Sequence, residues 1–403
     1  MHRINRRTFL QKTLATGAGA AIGRRALAQD PRPAAGLPQP CAPTAWKKHG
    51  VVLAPTEPIE GNHIQNFNCP VEPLNGERWR LWFSAIDGRA KFNIAYAEGI
   101  PGEPMKKFFA ECSPGDPPDA AFAIGNLPDG WKPVQVVHIH LKNSRHRIYF
   151  WVHGPRVIRF LAAESDDGRR YRVLDPHRPV LYHPSDRATW SVPTPDGLLV
   201  HNDECPDRPA NEPLAPSRLL SNDSTNVYQL ADSSFEMYSV ALIRVPKEDP
   251  AYIAHDNAPG LIRLIDRYTS DDGLHFENRK RVIARDANDP TDQQFYHLNV
   301  THTPKGRVGM LGHYRVEAQT MDLEWCFSPD GPTWHRPLRR AWLPRGEEGQ
   351  PDSYGIYPPA SVVHRSGKDH LFYTAVNYAH NQKHAHGQMR TVVMYATTDS
   401  IWV

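Results

Sequence analysis

The chain has 403 residues, 40% of them apolar and 10% aromatic, enough to bury a large core, and no stretch is long and apolar enough to span a bilayer. Its formal charge of +3 becomes +3 − 6 = −3 once Arg3, Arg6, Arg7, Lys12, Arg24 and Arg25 are set aside, the first 28 residues holding these six bases and no acid. The remainder therefore carries no nucleic-acid footprint, and its 38 prolines and 27 glycines, spread along the chain, punctuate many short elements and favour an all-β fold.

In chain order, "NRRTFLQK" (Asn5 to Lys12) comes first, an arginine pair ahead of Phe9 and Leu10, followed by a weakly apolar Ala/Gly segment and the small-residue end "RRALAQD". This resembles a twin-arginine export signal cleaved near Ala28, which implies a periplasmic or secreted protein. Residues 29–60 are expected to lead into one large domain, 61–403. Five cysteines (Cys41, Cys69, Cys112, Cys205 and Cys326) lie far apart, so neither a structural zinc site nor a disulfide scaffold is expected.

From about Gly61 the sequence becomes a succession of strand-like runs. "HIQNFNCPVEPLNGERWRLWFSAI" and "FNIAYAEG" form a first group; from about Lys132, "VQVVHIHL", "HRIYFWVHG" and "VIRFLAAES" form a second. A third, from about Ala188, is enlarged by the Pro-rich stretches "CPDRPANEPLAPSR" and "VPKEDPAYIAHDNAPG", read as surface loops. The fourth begins near Asp292, and the fifth near Ser353 with "YPPASVVHR", "DHLFYTAVNY" and "TVVMYATTD". Three groups contain one motif, "SDDGRRY" at Ser165, "SDDGLHF" at Ser270 and "SPDGPTW" at Ser328, with Asp-Gly where a tight hairpin needs positive φ. A unit of about four antiparallel strands recurring every 50 to 60 residues or so reads as a β-propeller blade, five of them in all. Trp79, Trp82, Trp190 and Trp334 alternate with apolar neighbours and read as core between blades.

Through these turns and the aromatic strands before them, most of the chain resembles the five-bladed β-propeller glycoside hydrolases of families 32, 43, 62, 68 and 117. The resemblance implies an axial cavity at the starts of the innermost strands and an oligo- or polysaccharide substrate. Those starts read "EGNHIQNFN", "WKPVQVVHIH", "SNDSTNVYQL", "DPTDQQFYHLNVTH" and "QPDSYGIYPPAS", and three of them carry an acid: Asp223, Asp292 and Asp352. Glycosidic cleavage needs one carboxylic acid to protonate the leaving oxygen and one carboxylate as nucleophile or base, so these three are the expected catalytic residues. Secondary candidates are Glu60, Asp289, and Asp203 with Glu204; Glu204 stands in "ECP", the tripeptide that holds the acid in family 32, although here within a Pro-rich insertion.

His63, Asn226, Tyr296, His297 and Tyr357 are the expected sugar-binding residues, and "NYAHNQKHAHG" (Asn377 to Gly387) is read as a rim loop. No cofactor is required; a calcium or other divalent ion on the axis is compatible with the resemblance, with His138, His140 and His302 as possible ligands. Two other functions fit the same pattern: a binding propeller without catalysis, and a metal-assisted hydrolase or lyase built on the axial histidines.

Overall fold

The computed structural model describes residues 37–87, 91–115, 120–154, 157–182 and 218–402. Apart from two short 3-10 turns the described elements are strands. They run as β1 (Lys47–Leu53), β2 (His63–Gln65), β3 (Val71–Pro73), β4 (Trp79–Asp87), β5 (Lys91–Gly99) and β6 (Lys106–Phe109). After β7 (Glu111–Cys112) and β8 (Ala123–Gly125) come β9 (Lys132–His140), β10 (His146–Gly154), β11 (Val157–Ser165), β12 (Arg170–Val173) and β13 (Leu181–Tyr182). Next are β14 (Arg218–Gln229), β15 (Phe235–Arg244), β16 (Leu261–Ser270) and β17 (Glu277–Ile283), then β18 (Gln293–Thr303), β19 (Gly306–Arg315) and β20 (Thr320–Ser328). The chain ends with β21 (Gly355–Tyr357), β22 (Val363–Arg365), β23 (Lys368–Val376) and β24 (Thr391–Thr398).

Neighbours in sequence pair antiparallel: β2-β4-β5-β6, β9-β10-β11-β12, β14-β15-β16-β17, β18-β19-β20 and β21-β23-β24. The outer edge of the last group is taken by β1, whose Lys47 to Leu53 pairs antiparallel with Val393 to Thr397. The stretch expected only to lead into the sheets thus supplies a strand to the far end of the chain.

Strand alternation explains how these groups stack. In β10, Ile148, Phe150 and Val152 belong to a core shared with Trp82, Ile94 and Tyr96, whereas the intervening Tyr149 and Trp151 belong to one shared with Phe235, Met237 and Tyr268. A strand buried on both faces is a continuous apolar run, which is what "IYFWV" is. The same division recurs along the chain: Tyr238 and Val240 pack with Leu298, Val300 and Trp334, and Met310 and Trp325 pack with Leu371, Tyr373 and Val392. Phe372 and Val393 of the last group share a core with Leu81, Phe83 and Ala95 of the first. Trp79, Trp82 and Trp334 are buried as expected of core residues, and Trp190 lies outside the described residues.

The Ser-x-Asp-Gly turns are held by the same bonds each time. The serine hydroxyl accepts from the glycine N–H at 3.0 Å (Ser165, Gly168), 2.8 Å (Ser270, Gly273) and 2.7 Å (Ser328, Gly331). One aspartate oxygen accepts the N–H groups beyond, those of Arg169 and Arg170 at Asp167, and of Leu274 and His275 at Asp272. Burial raises the Asp167 carboxyl, but these bonds outweigh it and hold the group at about 2. The second turn also reaches the preceding sheet: Tyr149 donates its hydroxyl to the Gly273 carbonyl at 2.8 Å and Arg147 donates to that of Asp272 at 2.7 Å.

Among the described residues, no helix is long and apolar enough to cross a membrane, and Cys41, Cys69, Cys112 and Cys326 are free thiols.

Candidate functional site

The first strands of the groups converge on a buried asparagine. Asn68, just beyond β2 and in the left-handed region at φ 63°, accepts with Oδ1 from Ser224 Oγ and Asn226 Nδ2 of β14 and from Asn299 Nδ2 of β18, each at 3.0 Å. Its own N–H donates to Pro358 O at 3.1 Å, and Asn299 Nδ2 also reaches Pro359 O at 2.9 Å, so the turn after β21 joins the cluster. Through this one oxygen the cluster ties the inner strands together, while Asn68 Nδ2, Asn226 Oδ1 and Asn299 Oδ1 are buried beside it without a hydrogen bond of their own among the described residues. Asn226 of β14 and Asn299 of β18 thus donate to one oxygen, although upstream of them the strands bulge differently, β14 between Leu220 and Thr225 and β18 between Phe295 and Leu298.

Beside this cluster lies a cavity of about 320 Å³. Gln65 and Phe67 reach it from β2 and the residues after it, with Ile86 and Phe92 from β4 and β5. Val134 and Gln135 of β9, at a bulge where Gln135 has φ 57°, and His153 of β10 form another wall. Tyr296, Tyr357 and Val376 line the far side; Asn257 comes from the insertion between β15 and β16, and Tyr378, His380 and Gln382 from the β23–β24 loop. The segment read as a rim loop thus contributes three lining residues. Aromatic faces alternate with amide and imidazole groups, a lining suited to stacking on a sugar ring while hydrogen-bonding its hydroxyls.

A connected polar chain runs behind the Tyr296 wall. His380 Nδ1 lies 3.0 Å from the Tyr357 hydroxyl, and its Nε2 lies 3.0 Å from Asn257 Nδ2. Arg263 donates from Nη2 to Asn257 Oδ1 at 2.9 Å and pairs with Asp256 at 3.4 Å. Tyr314 donates its hydroxyl to Asp256 at 2.6 Å. Burial raises the Asp256 carboxyl, but Arg263 and Tyr314 outweigh it and hold the group below the usual range. The Tyr296 and Tyr314 rings both stand 4.8 Å from that of His380, and the Arg263 guanidinium stands 4.8 Å from the Tyr296 ring centre. Sequence reading missed Asp256 and Asn257, since a Pro-rich insertion has no strand pattern to align it with the axis, and Arg263, whose place in β16 does not reveal its partners; the signal was "AHDNAP" itself, an acid and an amide in a loop too long for a plain hairpin.

The expected catalytic acids are not brought together among the described side chains. Asp292 takes Arg315 through both carboxylate oxygens at 2.8 to 3.1 Å and accepts the Glu317 N–H. Asp352 pairs with Lys48 at 2.5 Å, accepts from Tyr373 at 3.1 Å and from the Gly346 N–H. Both are buried, and neither is among the described residues that line the cavity. Asp223 lies in β14, its side chain outside the description, and Asp203 and Glu204 lie outside the described residues altogether. Glu60 accepts from the Thr56 and Glu57 N–H groups and pairs with Lys107 at 2.7 Å; Asp289 is matched to Arg336 at 2.8 Å.

Of the expected sugar-binding residues, Tyr296 and Tyr357 line the cavity and Asn226 belongs to the asparagine cluster. His297 is wholly buried, 5.2 Å from the Phe67 ring, and burial drives its imidazole down to about 3. His63 stacks edge-on to Tyr378 at 5.8 Å, and burial lowers its pKa as well. His138 bonds through Nδ1 to Glu72 and through Nε2 to His146, whose ring lies 4.5 Å from that of His140. His302 bonds to Glu236 at 2.7 Å. Among the described residues, no three His, Cys, Asp or Glu side chains form a group able to hold a metal ion.

No protein-family model matches the chain, and no curated protein matches it in sequence. Solved structures do. A glycoside hydrolase superposes with a TM-score of 0.55 at 13% identity, over 89% of this chain and 92% of that one. An N-acetylgalactosamine deacetylase from F. plautii, solved with blood group B trisaccharide, gives 0.51 at 15% over 90% and 95%, and a thermostable family-43 glycoside hydrolase gives 0.50 at 10% over 84% and 91%. At such identities the likeness is one of fold: the chain shares the all-β, propeller-type architecture of glycoside hydrolases.

Proposed function

We propose that this protein is an exported glycoside hydrolase on a five-bladed β-propeller, with the cavity beside Asn68 as its saccharide site. The observation that carries the reading is the cavity lining, with aromatic rings and neutral hydrogen-bonding groups drawn from the starts of successive sheets on a fold shared with glycoside hydrolases. The five strand groups and the core joining the last of them to the first support the blade count, with β1 completing the fifth blade.

Asp223 is the proposed working carboxylate, as nucleophile or as the base that activates water, because it stands in β14 three residues before Asn226 of the buried cluster beside the cavity. Asp292 and Asp352, each matched to a cation, serve the loops that carry the inner strands. No cofactor enters the proposed chemistry. Export rests on the Arg6-Arg7 pair, and changing both to lysine is expected to leave the protein in the cytoplasm.

The test is a reducing-sugar and chromophoric-glycoside screen over a broad glycan panel. Asp223→Asn is expected to lower kcat by about 100-fold or more with the fold intact, whereas Asp292→Asn is expected to lower the melting temperature instead. Wild-type turnover in Asp223→Asn removes that assignment, and saccharide binding without turnover on any glycan would make the protein a binding propeller.

A further inference from the structure

One wall of the cavity is apolar where the first two sheets meet. In the β4–β5 pairing Ile86 stands opposite Phe92, and Ser84, two residues before Ile86 and so on the same face, stands opposite Gln65 of β2. The Ser84 hydroxyl accepts the Gln135 N–H at 2.9 Å, which brings the start of β9 against this corner. Phe92 packs against the core cluster that holds Val134, its ring 5.1 Å from that of His153. Ile86, Phe92 and Val134 therefore close one side of the cavity with side chains that neither donate nor accept hydrogen bonds. At the inner edge of this wall the Gln65 carboxamide has no hydrogen-bond partner among the described residues. No Asp, Glu, Lys or Arg is among the described residues that line the cavity.

We propose that the cavity is specific for a 6-deoxyhexose, with the methyl group on C5 seated against Ile86, Phe92 and Val134 and a neighbouring hydroxyl held by Gln65, an assignment that rests on the saccharide-site reading above. The methyl group leaves water for an apolar surface and gives up no hydrogen bond. A hydroxymethyl arm in its place would give up its bonds to water and find none on the wall, and a uronate would bring a charge onto it. A pentose, with only hydrogen on C5, would leave the wall without a contact. Aromatic stacking cannot make these distinctions, because the ring faces of all these sugars are alike; the apolar wall reads one substituent.

The test uses chromophoric glycosides of one configuration that differ only in what C5 carries: a methyl, hydroxymethyl or carboxylate group, or hydrogen. In the configuration that is turned over, kcat/KM is expected to be highest for the 6-deoxy member, by about 10- to 100-fold over the hydroxymethyl one. The pentoside is expected about fourfold or more below the 6-deoxy member, and the uronide lowest. Ile86→Thr should narrow the gap between the methyl and hydroxymethyl members by about tenfold, whereas Gln65→Leu should lower all members alike and keep their order. A hydroxymethyl sugar, uronide or pentoside cleaved faster than the 6-deoxy member overturns the assignment, as does preference for an acetamido sugar or wild-type selectivity in folded Ile86→Thr; in each case the glycosidase reading stands. If no glycoside is cleaved, that reading falls, and saturation-transfer NMR of the methyl glycosides decides the assignment. The C6 methyl protons of a 6-deoxy sugar are then expected to take up the most saturation, and equal saturation around the ring, or no binding by the 6-deoxy members, overturns it.

Discussion

Burial strongly opposes the ionisation of His297, taking it from an ordinary value of 6.5 to about 3. His313 follows, at about 4, through burial and the nearby Arg336 and Arg315. Between the folded and unfolded values the unfolded chain binds more protons, so each histidine's contribution is complete above about pH 6.5 and is lost as pH falls toward its folded value, at about 1.4 kcal/mol per unit. Urea unfolding from roughly pH 6 to pH 4 should show His297→Gln with a shallower loss of stability than the wild type, by about that slope. Parallel slopes would mean that His297 titrates normally. Neither the burial nor the asparagine cluster was legible in the residues alone. "NFN", "TNV" and "LNV" are unremarkable tripeptides until β14 and β18 bring the Asn226 and Asn299 amides to 3.0 Å from the Asn68 oxygen.

The Ser-x-Asp-Gly hairpin is the element in which sequence and structure agree most closely, because every bond that shapes it is local. Its glycines have φ of 68°, 73° and 91°, the region the motif demands. What the motif did not reveal is the docking between sheets. A Cβ on Gly273 would stand 2.7 Å from the Tyr149 hydroxyl and 2.8 Å from Arg147 Nη1, so the turn fits against the preceding sheet without space for a methyl group. Gly273→Ala is expected to cost about 2–4 kcal/mol in unfolding free energy, from the φ and the clash together. Gly349→Ala, with φ 86° and nothing within 4 Å, should cost about 1–2 kcal/mol from backbone strain. Equal costs would show that the inter-sheet contact is soft. The Pro-rich insertion between β15 and β16 is the opposite case, since only its tertiary contacts bring Asn257 to the cavity.

For the molecule as a whole, stability depends on β1, whose pairing with β24 joins residues about 350 positions apart along the chain. Leu53 lies in the core shared by the last and first groups, and Trp46 packs 4.9 Å from Trp342. A chain beginning at Ala54 would leave β24 with a bare edge and open both cores, so it is expected to aggregate or unfold without a cooperative transition, whereas a chain beginning at Leu37 should melt like the full protein. Equal melting temperatures for the two would show that β1 is dispensable.

Strand content, hairpin turns and the grouping of strands were legible in the residues, because these depend on alternation and turn chemistry within a few positions. Tertiary structure decided which polar residues meet. Asp292 and Asp352 hold similar places before their strands, yet Arg315 and Lys48 claim them, and their cation partners could not be read from local pattern. Tyr357, His380 and Asn257, from three distant segments, form one hydrogen-bonded chain. Burying an ionised or polar group is costly unless a partner arrives, and the partner comes from wherever the fold places one.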